Sequence, residues 1–211
     1  MSLRSLILPI VLLLATSACA EEPLLLNVDQ DVAGASQAQW SRTWWQWAAS
    51  FDREVSPVAD TTGERCAAGQ QGAVWFLAGT YAAERTRRTC QVPAGKYLFF
   101  PLINYVVSAN AGYSVNCSEV MEAAFDDVAG VSQLVLRVDG HGSTGLETHR
   151  VSTRGCFDLG ARKSPPGRIF PAAGDGYYVM LRPLSPGRHT IDFGGTLPRF
   201  AQAVSYTIDV R

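Results

Sequence analysis

The sequence predicts a mainly β protein: β-sandwich-like antiparallel sheets with two peripheral α-helices. Three observations carry that expectation. Short apolar stretches recur along the second half of the chain, several in strict alternation, such as Leu134, Leu136, Val138 and Tyr206, Ile208, Val210. Glycines and prolines fall between them, where turns are needed. Helical periodicity is confined to two segments, so sheets must supply most of the core.

Residues 1–20 read as a secretory signal peptide. Arg4 gives a positive start, Leu6 to Ala15 is an unbroken apolar run, and Ala18-Cys19-Ala20 is a small-x-small cleavage site followed by acidic Glu21 and Glu22. The apolar run is about half the roughly twenty residues a span requires. No later segment approaches that length, so no transmembrane segment is expected in the mature chain. Cys19 opens an alternative, lipidation after cleavage before it. The residue three places ahead is Thr16, where such boxes usually carry Leu. Export implies a periplasmic or secreted protein, lipid-anchored through Cys19 in the alternative. Residues 21–211 then form a single disulfide-bonded domain.

Removing the signal takes away one basic residue, Arg4, and moves the net charge from −1 to −2. A near-neutral chain has no general attraction for nucleic acid. Arg85, Arg87 and Arg88 form the densest basic stretch and read as solvated loop charges.

The remaining cysteines, Cys66, Cys90, Cys117 and Cys156, are even in number in an exported chain and imply two disulfides. Three pairings are possible. Cys66–Cys90 and Cys117–Cys156 close the shortest loops and are favoured. No Cys-x-x-Cys occurs, and the spacings fit no zinc pattern.

Ser36 and Gln39 have capping-box spacing at the start of a helix of about 36–51. Trp40, Trp44, Trp47 and Phe51 follow at i, i+4, i+7 and i+11, one core-facing stripe. Residues 56–72 read as a polar loop and Ala73–Gly79 as a buried strand. Residues 82–91 read as a charged loop. Lys96–Val107 is strand-like, with Pro101 marking an edge or a bulge. A second helix is expected over Ser118–Ala129, capped by Ser118, with Met121, Phe125 and Val128 on the core face and Glu119, Glu122 and Asp126 in solvent. Strands follow at 134–138, 146–153, 176–184, 188–193 and 206–210.

Several motifs fail on context. Gly140, Gly142 and Gly145 match G-x-G-x-x-G, but LETHRVST after them is strand-like, and a phosphate site needs a helix there. Ser143 lacks the glycine two residues earlier that a nucleophile elbow requires, since His141 stands there. Asp60-Thr61-Thr62-Gly63 has one Thr too many for an aspartic-protease loop and reads as a polar turn.

Two sites survive. On the hairpin expected at 134–153, Asp139 and His141 share one outward face, and Glu147 and His149 share the returning one. Two carboxylates and two imidazoles there point to acid–base chemistry or a divalent metal, with His141 and His149 as candidate ligands. The bland account is the polar face of a half-buried hairpin. The second site is Trp45, about 130° from the tryptophan stripe and beside Arg42 and Gln46. It is either covered by another layer of the domain or a stacking platform for a sugar ring or a protein partner.

Trp44-Trp45-Gln46-Trp47, Thr62 to Cys66, Val74 to Gly79, the run from Cys90 through Val92-Pro93-Ala94-Gly95-Lys96 to Pro101, and Leu184 to His189 together resemble a group of uncharacterised exported bacterial proteins. The resemblance spans most of the mature chain. It implies a bacterial periplasmic or secreted setting and brings no activity. The sequence therefore points to a non-enzymatic binding or envelope-associated protein, with a glycan or another envelope protein as partner and no cofactor. The alternative is an exported hydrolase or metal-dependent enzyme using Asp139, His141, Glu147 and His149.

Overall fold

A computed structural model describes residues 23–109, 116–165 and 167–211. The expected signal peptide, residues 1–20, and the alternative lipidation site Cys19 lie outside them. The described chain is mainly β. Helix α1 (Gln37–Ala48) is followed by β1 (Val74–Phe76), β2 (Thr86–Val92), β3 (Tyr97–Ser108), α2 (Cys117–Asp127), β4 (Gln133–Val138), β5 (His141–Gly142), β6 (Arg150–Ser152), β7 (Ala172–Leu181), β8 (Gly187–Thr196) and β9 (Ala201–Val210). Two sheets form, in the orders β1-β3-β7-β6 and β2-β9-β8-β4-β5. Most neighbours are antiparallel; β1–β3 and β2–β9 are parallel.

Alternation along each strand creates the core. In β9 every second residue from Gln202 to Val210 is buried. Val204, Tyr206 and Ile208 face Phe100, Leu102 and Val179 of the other sheet, with Phe100 and Phe193 rings 4.5 Å apart. The two central strands of the four-stranded sheet are buried on both faces, because α1 covers the outer one. Trp44 and Trp47 pack there against Phe76, Phe99, Tyr178 and Met180. The capping box at Ser36 and Gln39 starts that helix.

Pro101 marks a bulge within a central strand, not an edge. Pro101 pairs with Tyr178 and Ile103 with Tyr177, leaving Leu102 over. A bulge frees carbonyls that burial then penalises. The Gln202 amide answers them, donating to Pro101 O at 3.0 Å and Leu102 O at 2.7 Å. Its own oxygen accepts the Thr80 amide.

Three expectations change. Residues 86–92 are a strand, not a loop: Thr86, Arg88, Cys90 and Val92 point inward. The chain here leaves β1, crosses to the other sheet and returns as β3, so β2 is an extra strand hidden by its charges. Second, Asn116, not Ser118, caps α2, its side chain accepting the Ser118 amide. Val120, Ala124 and Val128 are the buried face, while Met121 and Phe125 are exposed. Small Ala124 lets the helix approach β3 and β7 closely, and Phe125 instead lies under the Arg150 guanidinium at 3.9 Å. Glu119, Glu122 and Asp126 stay exposed. Third, residues 146–149 form a 3₁₀ turn, and β6 joins the other sheet beside β7.

The disulfides are Cys66–Cys90 and Cys117–Cys156. The first ties the 56–72 loop to β2. That loop runs so close that a Cβ on Gly63 would sit 2.2 Å from Thr89 O, and Gly63 also has φ +96°. Asp60 folds the turn, accepting the amides of Thr62, Gly63 and Arg65.

Candidate functional site

A cleft of about 290 Å³ opens where the ends of several elements meet. The second half of the Trp44-Trp45 pair forms one wall. The Trp44 indole N–H donates to Leu77 O at 3.0 Å, fixing that ring in the core. Trp45 meets it edge-on, with centroids 5.0 Å apart. Gly174 of β7 makes room for Trp45, since a Cβ there would lie 2.7 Å from the indole nitrogen. The opposite walls come from Tyr81, beyond β1, from Tyr105 at the end of β3, and from Phe200 before β9. Asn104, Thr80 and Gln202 supply polar groups.

Among the described residues the lining contains no carboxylate, ammonium, guanidinium or imidazole. Its tyrosine at residue 81 is neutral: burial pushes the phenol up, further than Arg53, 4.9 Å from its ring, pulls it down. Tyr81 and Tyr105 are nevertheless 52% and 39% exposed. Behind them, burial also raises the Tyr178 hydroxyl, which accepts the Asn104 amide at 3.0 Å. The cleft is therefore an uncharged aromatic recess with few polar groups, the usual chemistry of a small-ligand site.

Of the three residues expected at this site, Trp45 borders it and the other two do not. The Arg42 guanidinium donates to Thr153 O and lies over Phe157. The Gln46 amide donates to Asp158 O. Both pin the 153–158 segment to α1. Trp45 itself is half-covered by that layer and by β7, so covering and cleft-lining are both true of it. Tyr81, Tyr105, Phe200 and Asn104 were not expected.

The hairpin face of Asp139, His141, Glu147 and His149 does not form. Asp139 sits in the turn after β4 with φ +50°. His141 and Glu147 are exposed, while His149 is buried in the 3₁₀ turn. Burial lowers the His149 pKa, against smaller upward pulls from the Tyr178 backbone and Glu147. The cause is the 3₁₀ turn, which replaces the return strand and rotates the second pair away. Among the described residues no three His, Cys, Asp or Glu gather as metal ligands.

Asp139 has a different partner. His189 Nδ1 lies 2.7 Å from its carboxylate, and the Ser185 hydroxyl lies 3.3 Å from Nε2. The residue types are those of a Ser–His–Asp triad. However, Nε2 is closer to the Ser185 carbonyl, at 2.9 Å, and must donate to it. A donating nitrogen has no lone pair with which to take the serine proton. With both nitrogens donating, the protonated ring clasps two turns. Burial pushes His189 down, but the bonds to Asp139 and Ser185 outweigh it and raise the pKa. For Asp139, burial pushes up, and the bonds from His189 and the Thr190 amide outweigh it and lower the pKa.

The pH dependence follows. The His189 contribution is complete below the ordinary value of 6.5 and is lost as pH rises through the raised value. The Asp139 contribution is complete above the ordinary 3.8 and is lost as pH falls through the lowered value. The clasp is strongest between them. Melting temperature against pH should show this dome for the parent and a flatter one for Asp139→Asn; matching curves would show that the clasp contributes nothing.

The fold and cleft define a mainly β two-sheet protein with an aromatic recess at one end. No family model matches the chain, and no curated protein matches it. Two solved structures show a distant likeness. The solution structure of Amebosin is 10% identical over 60% of this chain and 96% of its own, with a TM-score of 0.25. PbICP-C, solved in complex with falcipain-2, is 11% identical over 66% of this chain and 100% of its own, with a TM-score of 0.29. Similarity of that degree carries no argument about fold or partners.

Proposed function

We propose that this is an exported, non-enzymatic binding protein of the bacterial envelope or its surroundings, and that it binds a neutral sugar ring in the cleft at Trp45. The observation that carries this is the uncharged recess walled by Trp45, Tyr81, Tyr105 and Phe200. Aromatic faces stack on the C–H face of a sugar, while Asn104 and the hydroxyls of exposed Tyr81 and Tyr105 offer hydrogen bonds to its hydroxyls. The absence of charge from the lining favours a neutral ring over an ionic one. Two disulfides support an oxidising compartment. The secretory pattern of residues 1–20 and the absence of a membrane-crossing helix among the described residues fit release from the membrane. Lipidation at Cys19 would tether the same cleft to the envelope. The hydrolase or metalloenzyme reading loses its basis, because its four residues do not converge.

Titration with a panel of neutral oligosaccharides, read by calorimetry, tests the proposal. At least one should bind, and Tyr81→Ala and Tyr105→Ala should each weaken it roughly tenfold, about 1.4 kcal/mol. Both side chains are exposed, so the variants should fold. If no sugar binds, or both variants bind like the parent, the proposal fails.

A further inference from the structure

The outer face of the five-stranded sheet carries a second site that shares no residue with the cleft. Register places Arg87 beside Ser205, Ser205 beside Asp192, and Asp192 beside Arg137. These four residues form one row across β2, β9, β8 and β4. Arg87 and Arg137 are exposed and Ser205 and Asp192 half-buried. Side chains on directly paired residues project from the same face of a sheet. Three strand spacings of about 4.8 Å set the two arginine backbones roughly 14 Å apart. Arg85, two residues before Arg87, joins the same face.

These residues, with Val135, line a shallow depression of about 400 Å³. Among the described residues its single carboxylate, Asp192, is already engaged. Asp192 accepts the Ser205 hydroxyl and pairs with Arg85 at 3.5 Å. Neither Arg87 nor Arg137 takes part in an ion pair among the described residues. The depression thus holds three guanidinium groups against one carboxylate, on a protein whose overall charge is slightly negative. Guanidinium groups bind sulfate, phosphate and carboxylate through paired N–H donors.

We propose that this row is a docking site for an anionic polysaccharide, with sulfate, phosphate or carboxylate groups seated at Arg87 and Arg137. Charge complementarity argues for the anion. The rest of the face argues for the polymer. Thr89, Gln91, Thr190 and Thr207 extend it with hydroxyl and amide groups suited to sugar hydroxyls, and farther along the same face the Asp209 carboxylate is held by Arg188 at 3.1 Å. Among the described residues Val135 is the one apolar side chain lining the depression, so the depression itself presents no apolar anchor to a bilayer.

The test compares dextran sulfate with neutral dextran, phosphatidylglycerol vesicles and duplex DNA at about 0.15 M salt. The parent should bind dextran sulfate. Arg87→Gln/Arg137→Gln should lower that affinity tenfold or more and flatten its salt dependence. Arg154→Gln/Arg168→Gln removes the same charge from exposed positions elsewhere and should change neither. The proposal is overturned if the parent does not bind dextran sulfate, if the two double variants behave alike, or if vesicles or DNA bind as tightly as dextran sulfate. Because the site is separate from the cleft, Arg87→Gln/Arg137→Gln should leave neutral-sugar binding intact.

Discussion

Arg88→Met should destabilise the protein by about 3–5 kcal/mol, the cost of removing one partner from a buried charged network. Arg88 is 3% exposed. Its Nε donates to Asp60 O at 2.7 Å. One terminal nitrogen donates to Ala78 O, Gly79 O and the Tyr206 hydroxyl, and the other to Val58 O. Among the described residues no carboxylate pairs with it directly; backbone carbonyls hold the charge. Four carbonyls from two loops thus converge on one side chain, and a thioether answers none of them. Each buried acceptor left unpaired costs about 1–3 kcal/mol, reduced where water or a shift of chain relieves it. Arg88→Lys should recover only part of the loss, since an ammonium has three donors and no planar fork. Urea unfolding measures this as a lower midpoint at similar slope. A change below about 1 kcal/mol would mean the loops hold themselves, as is common for surface positions. Ala78 and Gly79 lead directly to Thr80 and Tyr81, so a folded Arg88 variant should also bind cleft ligand more weakly.

Reduction of both disulfides should unfold the protein at moderate temperature. The bridges join residues 24 and 39 apart in sequence. By loop-closure entropy they contribute about 3.4 and about 3.9 kcal/mol. Together that is comparable to the whole stability of an ordinary domain, about 5–15 kcal/mol. Thermal unfolding with and without dithiothreitol reads the effect. Cys117→Ala/Cys156→Ala alone should lower stability by the larger amount, because that bridge closes the longer loop. Little change on reduction would mean the bridges are incidental, and it would remove one support for export.

Most of the fold was legible where burial and periodicity agree. The alternation of β9 and the tryptophan stripe of α1 each name their buried face directly. Strand β2 was not legible, because Thr-Arg-Arg-Thr reads as polar until Arg88 is seen to be satisfied by carbonyls from distant loops. On α2, Met121 and Phe125 outweighed Val120 and Ala124 by size, although close packing against two strands favours the small residue. The turn at 146–149 was hidden because β-branched and polar residues fit a strand and a 3₁₀ turn equally well. At the cleft, Trp45 was legible as an aromatic off the stripe. Tyr105 carried a weaker signal, an aromatic near the end of a long strand. Tyr81 and Phe200 carried none, since their positions depend on how three loops converge. The arginine row needed the register of four strands, which no local pattern supplies.

The most direct test of the binding cleft is an indole N–H spectrum of the protein with its five tryptophans labelled. On saturation with a bound neutral sugar, the Trp44 and Trp45 signals should shift. Trp40, Trp47 and Trp75 should stay in place, the first two bonded to Val32 O and Ala68 O and Trp75 buried in the core between the sheets. Shifts confined to Trp40, Trp47 or Trp75, or no shift at Trp45 when a sugar binds, would contradict the assignment of the cleft.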